Sequence, residues 1–312
     1  MRPGCRSNCF PAKEVHLIKA LHALTLVGLT SLLGLLPSSL YAQDKPPSPY
    51  FVTYDHYMEE VDELEIGTDI VIGRDPSINT FTGGFTEFEY GVRKWWTTEF
   101  YLDWQHTRHE GSLYTGFRFE NRFRLFLEPH KINPVLYVEY EHLNGADKTL
   151  KEIVGFDGVE ELAEPNDELR EEREREIETK LILSSEIGQW NLAENLIGAK
   201  NLHGEKWEFG YSVGLSRPLG TSTGRRCTFC GEKFSAGIEV YGGLGEWGDI
   251  TFRNTSQYIA PLLMWTLPSE TTIRFSPGWG LTGNSVNTLF CIGVTQEFDG
   301  FGRQLGKLFG KH

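Results

Sequence analysis

The stretch that decides the fold is Thr115–Leu127, which reads Thr-Gly-Phe-Arg-Phe-Glu-Asn-Arg-Phe-Arg-Leu-Phe-Leu. Successive side chains of a β-strand point to opposite faces. One face of this strand is apolar apart from Asn121, and it carries Phe117, Phe119, Phe123, Leu125 and Leu127. The other face carries four charged residues, Arg118, Glu120, Arg122 and Arg124. A transmembrane β-barrel requires this division, because its outer surface meets lipid and its inner surface meets a polar lumen.

Twelve segments of the chain alternate with the same period of two and predict twelve strands. They are Glu63–Gly73, Thr82–Arg93, Trp95–His106, Ser112–Leu127, Pro134–His142, Ile177–Ile187, Trp190–Lys200, Lys206–Arg217, Lys233–Gly242, Gln257–Leu267, Thr271–Trp279 and Val286–Phe298. We expect one all-β domain over residues 43–298, an antiparallel up-and-down transmembrane barrel of about 12 strands. If both ends of the chain lie in the periplasm, the long acidic connection 143–176 lies at the outer surface.

Residues 1–42 have the features of a cleavable export signal. Four basic residues accompany the apolar run Ala20–Leu36, and small residues lead up to Ala42. The run is shorter than the roughly 20 residues of a spanning helix, although a retained membrane anchor is an alternative. Cleavage after Ala42 changes the formal net charge from −13 to −16, because the leader holds four basic residues and one acidic residue. So acidic a chain disfavours a nucleic-acid partner.

Two segments stand apart from the strand pattern. Gly145–Glu178 holds 13 acidic and 5 basic residues, which predicts a polar surface loop, with a cation-binding or lid role as the alternative. Within it, Glu168–Glu178 predicts a short solvated helix. After the last strand, residues 299–312 place apolar side chains at helical spacing. They predict a short amphipathic tail on the inner membrane surface, or one inserted into the lumen.

The inner faces of the second to sixth strands carry the candidate functional residues. Twelve charged residues line this predicted lumen: Glu87, Glu89, Glu99, Asp103, Arg118, Glu120, Arg122, Arg124, Glu139, Glu141, Glu178 and Lys180. We expect ion pairs between arginines and carboxylates on adjacent strands, because the basic fourth strand has acidic neighbours. These residues form either a selectivity lining for a small solute or an ion-paired plug that closes a narrow barrel.

Other motifs argue against an enzyme. Cys227 and Cys230 form one CxxC, for which a disulfide, free thiols, and a metal or redox site are the alternatives. His142-Leu-Asn-Gly145 lacks the serine found in outer-membrane phospholipases with a similar run, and no Walker loop, dinucleotide fingerprint or His-Glu-x-x-His occurs. We therefore expect no catalytic residues, no cofactor and no resident metal. Tryptophans near strand ends predict an aromatic belt, with sugar stacking as the alternative.

The chain resembles bacterial outer-membrane β-barrels of the small twelve-stranded porin type, including the transporter-like and phenol-degradation (MetA-pathway) barrels. The motifs that carry the resemblance are Thr115-Gly-Phe-Arg-Phe-Glu-Asn-Arg, Pro134-Val-Leu-Tyr-Val-Glu-Tyr-Glu and Trp207-Glu-Phe-Gly-Tyr. It implies contact with outer-membrane lipid and insertion by assembly machinery that reads the C-terminal strand ending at Phe298. The expected function is a porin-like channel for small polar or charged solutes. A non-conducting structural or adhesive barrel and a soluble periplasmic β-protein are the alternatives.

Overall fold

The structure is a computed structural model that describes residues 48–221 and 227–308 of the chain. The predicted signal over residues 1–42 and the last four residues of the predicted tail lie outside the described residues. Within the described ranges, no helix has both the length and the apolar character needed to cross a membrane.

Strands account for most of the described chain. Their bounds are β1 (Leu64–Arg74), β2 (Phe81–Arg93), β3 (Trp96–Thr107), β4 (Gly111–Arg124), β5 (Asn133–Asn144), β6 (Arg173–Ile187), β7 (Trp190–Asn201), β8 (Trp207–Pro218), β9 (Phe234–Glu246), β10 (Asp249–Ile250), β11 (Gln257–Thr266), β12 (Thr271–Gly280) and β13 (Thr288–Phe298). Neighbouring strands pair antiparallel, and the pairings of β13 with β1 and of β8 with β9 close the sheet. The two-residue β10 only pairs with the end of β9, so twelve strands form the wall. The predicted twelve-stranded antiparallel barrel is confirmed.

The structure differs from the sequence-based prediction mainly around β6. The predicted helix over Glu168–Glu178 is wrong, because only α1 (Asn166–Leu169) is helical and the chain from Arg173 onward pairs with β5. Alternating charges fit a solvated helix and a strand equally well, and here the inter-strand hydrogen bonds decide between them. The connection between β5 and β6 is therefore residues 145–172, shorter at both ends than the predicted 143–176.

The outer face of the wall is apolar around most of its circumference. Phe119 on β4 is 46% exposed, whereas Arg118 and Glu120 beside it are buried. Large apolar side chains are also exposed on β3, β5 to β9 and β11 to β13, including Phe100, Leu102, Leu136, Val138, Leu181, Leu196, Leu215, Ile238, Leu263, Phe275, Phe290 and Val294. An apolar outside around a charged inside suits lipid surroundings, and it is the reverse of a water-soluble β-protein.

Helix α2 (Phe301–Leu308) follows the last strand and lies at the rim where β1 begins and β13 ends. The backbone N–H of Phe301 donates to the carbonyl oxygen of Asp62 over 2.9 Å, and Arg303 Nε donates to the Asp62 carboxylate over 2.9 Å. The rings of Tyr90 and Phe301 meet edge to face at 6.4 Å between centroids. These contacts hold the first turn of the tail at the rim rather than in the lumen.

The apolar belt predicts the effect of a charge on the outer face. We expect Val138→Arg, in the middle of β5, to lower the free energy of unfolding in lipid vesicles by about 2–4 kcal/mol, because the guanidinium must lie in hydrocarbon. Urea titration of vesicle-embedded protein measures this change. Val138→Leu is the matched control and should be nearly neutral; an equally neutral Val138→Arg would contradict the orientation of the wall.

Candidate functional site: a filled and charged lumen

The barrel has two distinct ends. We call the end with helix α2 and the turns 94–95, 125–132 and 188–189 the terminal end, and the opposite end, with residues 145–172, the loop end. Between them the inward side chains of the strands meet in the lumen, where ten of the twelve charged residues predicted from the sequence are buried. Two others, Arg124 near the terminal end and Glu141 near the loop end, are half-buried.

Arg118 and Arg122 of β4 are each surrounded by carboxylates. Arg118 Nη2 lies 2.7 Å from Asp103 Oδ1, and its Nη1 lies 3.8 Å from Glu139 Oε1. Arg122 contacts Glu89 and Glu99, and its Nε lies 3.2 Å from Glu120 Oε1. Cross-strand pairing therefore supplies both guanidinium groups with negative charge from β2, β3, β4 and β5. An unpaired charge buried this deeply would cost several kcal/mol.

A second group of charges lies on strands outside this arginine pair. Lys180 Nζ of β6 lies 2.9 Å from Glu178 Oε1. Across the barrel, Arg274 Nη2 of β12 lies 2.8 Å from Asp69 Oδ1 of β1. Asp69, Arg274 and also Glu239 on β9 are buried inward residues that the sequence-based list lacked, although they have the same parity signal as those on β2 to β6.

Residues 48–60 precede the first strand and lie inside the barrel; we call them the inner segment. The backbone N–H groups of Phe51, Val52 and Thr53 donate to the Glu239 carboxylate over 3.1, 3.0 and 2.7 Å. Farther along, the Tyr54 backbone exchanges two hydrogen bonds with the side-chain amide of Asn195 on β7, at 2.7 and 2.8 Å. The inner segment thus crosses the lumen without joining the sheet, held by side chains of the wall.

The connection between β5 and β6 also turns inward, and we call its buried part, residues 146–155, the inserted loop. Its Glu152 accepts hydrogen bonds from Lys180 Nζ at 2.7 Å and from Arg118 Nη1 at 3.3 Å. The wall lacks side chains where the loop passes: a Cβ at Gly83 would lie 1.8 Å from the carbonyl oxygen of Lys148. Only glycine allows this approach, so the wall and the inserted loop fit as one packed unit.

The inner segment and the inserted loop leave two large cavities and little space between them. The cavity at the loop end has a volume of about 490 Å³, and the cavity at the terminal end about 500 Å³. Between them the described residues leave cavities of about 70 and about 20 Å³. Among the described residues, the inner segment and the inserted loop therefore fill much of the lumen in this conformation.

The loop-end cavity is strongly acidic. Among the described residues that line it, only Arg118 and Lys151 are basic, against the carboxylates of Glu141, Asp147, Glu152, Asp157, Glu161, Glu164, Glu172, Glu174, Glu176, Glu178, Glu205 and Glu208. Burial, and then the neighbouring carboxylates of Glu161 and Glu208, raise the pKa of Asp157 well above its usual range. Burial likewise raises the pKa of Glu161. Such crowding of like charge favours protonation or the presence of cations.

The CxxC singled out in the sequence, and a carboxylate cluster that the sequence did not predict, lie as follows. Cys227 and Cys230 are joined by a disulfide in the connection between β8 and β9 at the terminal end. Glu139, Glu152 and Glu178 each bring a carboxylate oxygen within 4.8 Å of the others, which is close enough to share a cation. Lys180 Nζ, bonded to Glu152 and Glu178, already supplies a positive charge there.

Sequence reasoning missed the aromatic and loop residues of the lumen. Tyr101 lies between Glu99 and Asp103 on the inward face of β3, so its parity gave a usable signal. Tyr54, Lys151 and Glu152 belong to segments without periodicity, and no pattern marked them as buried. Their positions depend on the wall that they fill.

Comparison with known proteins shows which solved structures share this fold. No protein-family model and no curated protein matches the chain. Among solved structures, the COG4313 outer membrane channel from Pseudomonas putida F1 is similar over 82% of this chain and 100% of its own, with a TM-score of 0.54 and 8% sequence identity. The KdgM porin covers 76% of this chain and 99% of its own, with a TM-score of 0.47 and 6% identity. The fold is that of a twelve-stranded outer-membrane barrel, which confirms the resemblance stated from the sequence at the level of the fold.

The double role of Glu152 gives a test of the packing. We expect Glu152→Gln to lower the free energy of local opening of residues 146–155 by roughly 3 kcal/mol, because Arg118 and Lys180 lose a shared buried counter-charge. Hydrogen exchange of the backbone amides measures this opening. Glu160→Gln, an exposed change in the same connection, is the control. Unchanged protection of the loop in Glu152→Gln would show that the ion pairs do not hold it.

Proposed function

We propose that this chain is an outer-membrane channel for small polar or charged solutes with a preference for cations, and that the arrangement described above is its closed state. The observation that carries the proposal is the acidic loop-end cavity above a charged lumen. A concave, negatively charged cavity with low-dielectric walls concentrates cations at its mouth. The similarity to an outer membrane channel supports the same class of function, and it does not name the solute.

The proposed orientation places the terminal end in the periplasm and the loop end outside the cell. Turns at the terminal end include two of only two residues, 94–95 and 188–189, and bacterial barrels have short periplasmic turns. Residues 1–42 would direct export and then be removed. The C-terminal strand ending at Phe298 would be read by the barrel-assembly machinery, and lipid would cover the apolar outer face. Helix α2 would lie at the inner membrane surface.

Conduction in this proposal requires movement of the two segments that fill the lumen. The wall keeps its shape through inter-strand hydrogen bonds and through ion pairs such as Arg118 with Asp103 and Arg122 with Glu89. When the inner segment and the inserted loop withdraw, Glu239, Arg118 and Lys180 lose partners and face water. The exposed lining would then offer a permeating ion replacements for its hydration shell.

The alternative is a structural or adhesive barrel that never opens. The many hydrogen bonds and ion pairs that join the wall to the inner segment and the inserted loop favour this alternative. Single-channel recording in planar bilayers separates the two functions, since a permanently filled barrel passes no current at any voltage.

A change at Glu239 tests opening directly. We expect Glu239→Ala to raise the open probability several-fold, because three backbone N–H groups of the inner segment lose a charged acceptor worth about 1.5–3 kcal/mol per bond. Glu246→Ala on the same strand is the control, since Glu246 lies at the loop end and pairs with Lys206. If folded Glu239→Ala protein stays silent at all voltages, the structural alternative is favoured.

The loop-end cavity predicts a pH dependence of ion selectivity. Asp157 and Glu161 have raised pKa values, so they gain protons at a higher pH than ordinary carboxyl groups and lose negative charge on mild acidification. We expect the preference for K⁺ over Cl⁻ in Glu239→Ala channels to fall as the pH is lowered, and to begin falling above the pH at which ordinary carboxyl groups gain protons. Reversal potentials in a salt gradient measure it. Adding Asp157→Asn and Glu161→Gln should flatten the change; an equal slope with both carboxylates replaced would contradict this assignment.

A further inference from the structure

Lys151 of the inserted loop reaches the centre of the barrel and ends among aromatic rings. Its Nζ lies 3.7 Å from the centroid of Tyr101 and 5.2 Å from the centroids of Tyr54 and Phe85. These separations are within the range of cation–π attraction. The side chain is only 4% exposed, and its nearest carboxylate is Glu120, whose Oε2 lies 3.7 Å from Nζ. The three rings and this carboxylate form what we call the aromatic cage.

The other two deeply buried lysines of the described chain are held differently. Lys148 Nζ donates to Thr107 Oγ1 at 3.0 Å and to Asn166 Oδ1 at 3.2 Å. Lys180 Nζ donates to Glu152 Oε1 at 2.7 Å. Lys151 Nζ makes no hydrogen bond to any of the described residues. Its ammonium group is therefore held by cation–π attraction to the rings and by charge attraction to Glu120. Neither attraction depends on an N–H donor.

The hydroxyl groups of the cage strengthen it. Tyr101 Oη lies within hydrogen-bond distance of the carboxylates of Glu99 and, at 2.8 Å, of Glu120, and its single proton is donated to one of the two. Tyr54 Oη donates to Glu120 over 3.1 Å. A phenol that donates to a carboxylate gains electron density in its ring, and a more electron-rich ring attracts a cation more strongly. The Arg118 guanidinium lies 4.6 Å from the Tyr101 centroid and stays bound to Asp103, so it does not depend on Lys151.

We propose that the aromatic cage is a binding site for small alkylammonium solutes, including quaternary ones, and that Lys151 is its built-in occupant. A ring-lined cavity with one carboxylate and no required hydrogen-bond acceptor for N–H is the arrangement that recognises quaternary ammonium groups in general. A solute ammonium and the Lys151 ammonium would compete for the same place. Binding of the solute would expel Lys151 and the inserted loop with it.

The position of Lys151 connects this site to the rest of the lumen. Lys151 lines the acidic loop-end cavity of about 490 Å³ and also both inner cavities, of about 70 and about 20 Å³. Displacing it would therefore join spaces that are separate in the closed state. The inference rests on the proposed function, because the solute reaches the cage through the lumen of the channel. Binding to the cage can nevertheless be measured without any conduction.

The test uses purified barrel in detergent and tetramethylammonium chloride as the probe, because this cation has no N–H group. Lys151→Ala should bind it at least about tenfold more tightly than the native protein in isothermal titration calorimetry, since the cage is vacant. Lys148→Ala, which removes a hydrogen-bonded lysine from the same loop, should not. Adding Phe85→Leu to Lys151→Ala should remove most of the gain without deleting a polar group. Sodium chloride at equal ionic strength is the reference for non-specific charge effects.

A second measurement needs no variant. Tetramethylammonium should accelerate hydrogen exchange of residues 148–154 in the native protein with a saturable concentration dependence, because it competes with Lys151. Equal binding to native, Lys151→Ala and Lys148→Ala proteins, or exchange in the native protein unchanged by the probe, would overturn the assignment. If the barrel binds tetramethylammonium but never conducts, the binding site is supported and the proposed channel function is contradicted. If the barrel conducts but does not bind tetramethylammonium preferentially, the channel function is supported and the binding site is contradicted.

Discussion

The structure depends on the compensation of charges buried inside the barrel. Arg122 is satisfied by the wall alone, through Glu89, Glu99 and Glu120. Arg118 and Lys180 are not, because both also use Glu152 of the inserted loop. A strand period of two places charges in the lumen, and breaking a buried pair costs several kcal/mol, so the wall recruits other parts of the chain as partners.

The same constraint explains why the lumen is filled from both ends. Glu239 on β9 finds its donors in the backbone of the inner segment, and Arg274 on β12 donates to the carbonyl oxygen of Tyr50 over 2.8 Å. Water or a permeating solute can in principle replace each of these partners, since all are polar contacts. The filling is therefore of a kind that can exchange with an open state, unlike a lumen packed with apolar side chains.

The sequence predicts the wall well and the filling poorly, for a physical reason. Alternation in the sequence locates all twelve wall strands, because the two faces of each strand meet different surroundings. Parity alone puts Arg118 and Glu120 on one face, and the structure buries them together in the lumen. The inner segment has no regular structure, and its hydrogen bonds go to side chains far away in the sequence, so no local pattern marks it.

The inserted loop was harder still to predict. The net negative charge of the longer segment Gly145–Glu178, which contains it, indicated a solvated surface loop, and the acidic residues around Asp157 do line an open cavity. Lys148, Lys151 and Glu152 turn inward instead, because glycines such as Gly83 leave room at the wall. The interior also supplies partners for both ammonium groups: Thr107 and Asn166 for Lys148, and aromatic rings and Glu120 for Lys151. Only the assembled barrel presents those partners together.

The most direct test of a lumen closed by its own chain uses Cys291, the free cysteine of the described residues. It lies on β13 beside Phe51 and Val52 of the inner segment and Lys151 of the inserted loop. We expect a charged, membrane-impermeant methanethiosulfonate to modify it slowly in the native barrel and much faster in Glu239→Ala, where the inner segment is released. Modification of the native, folded protein at the rate of an exposed thiol would contradict the account.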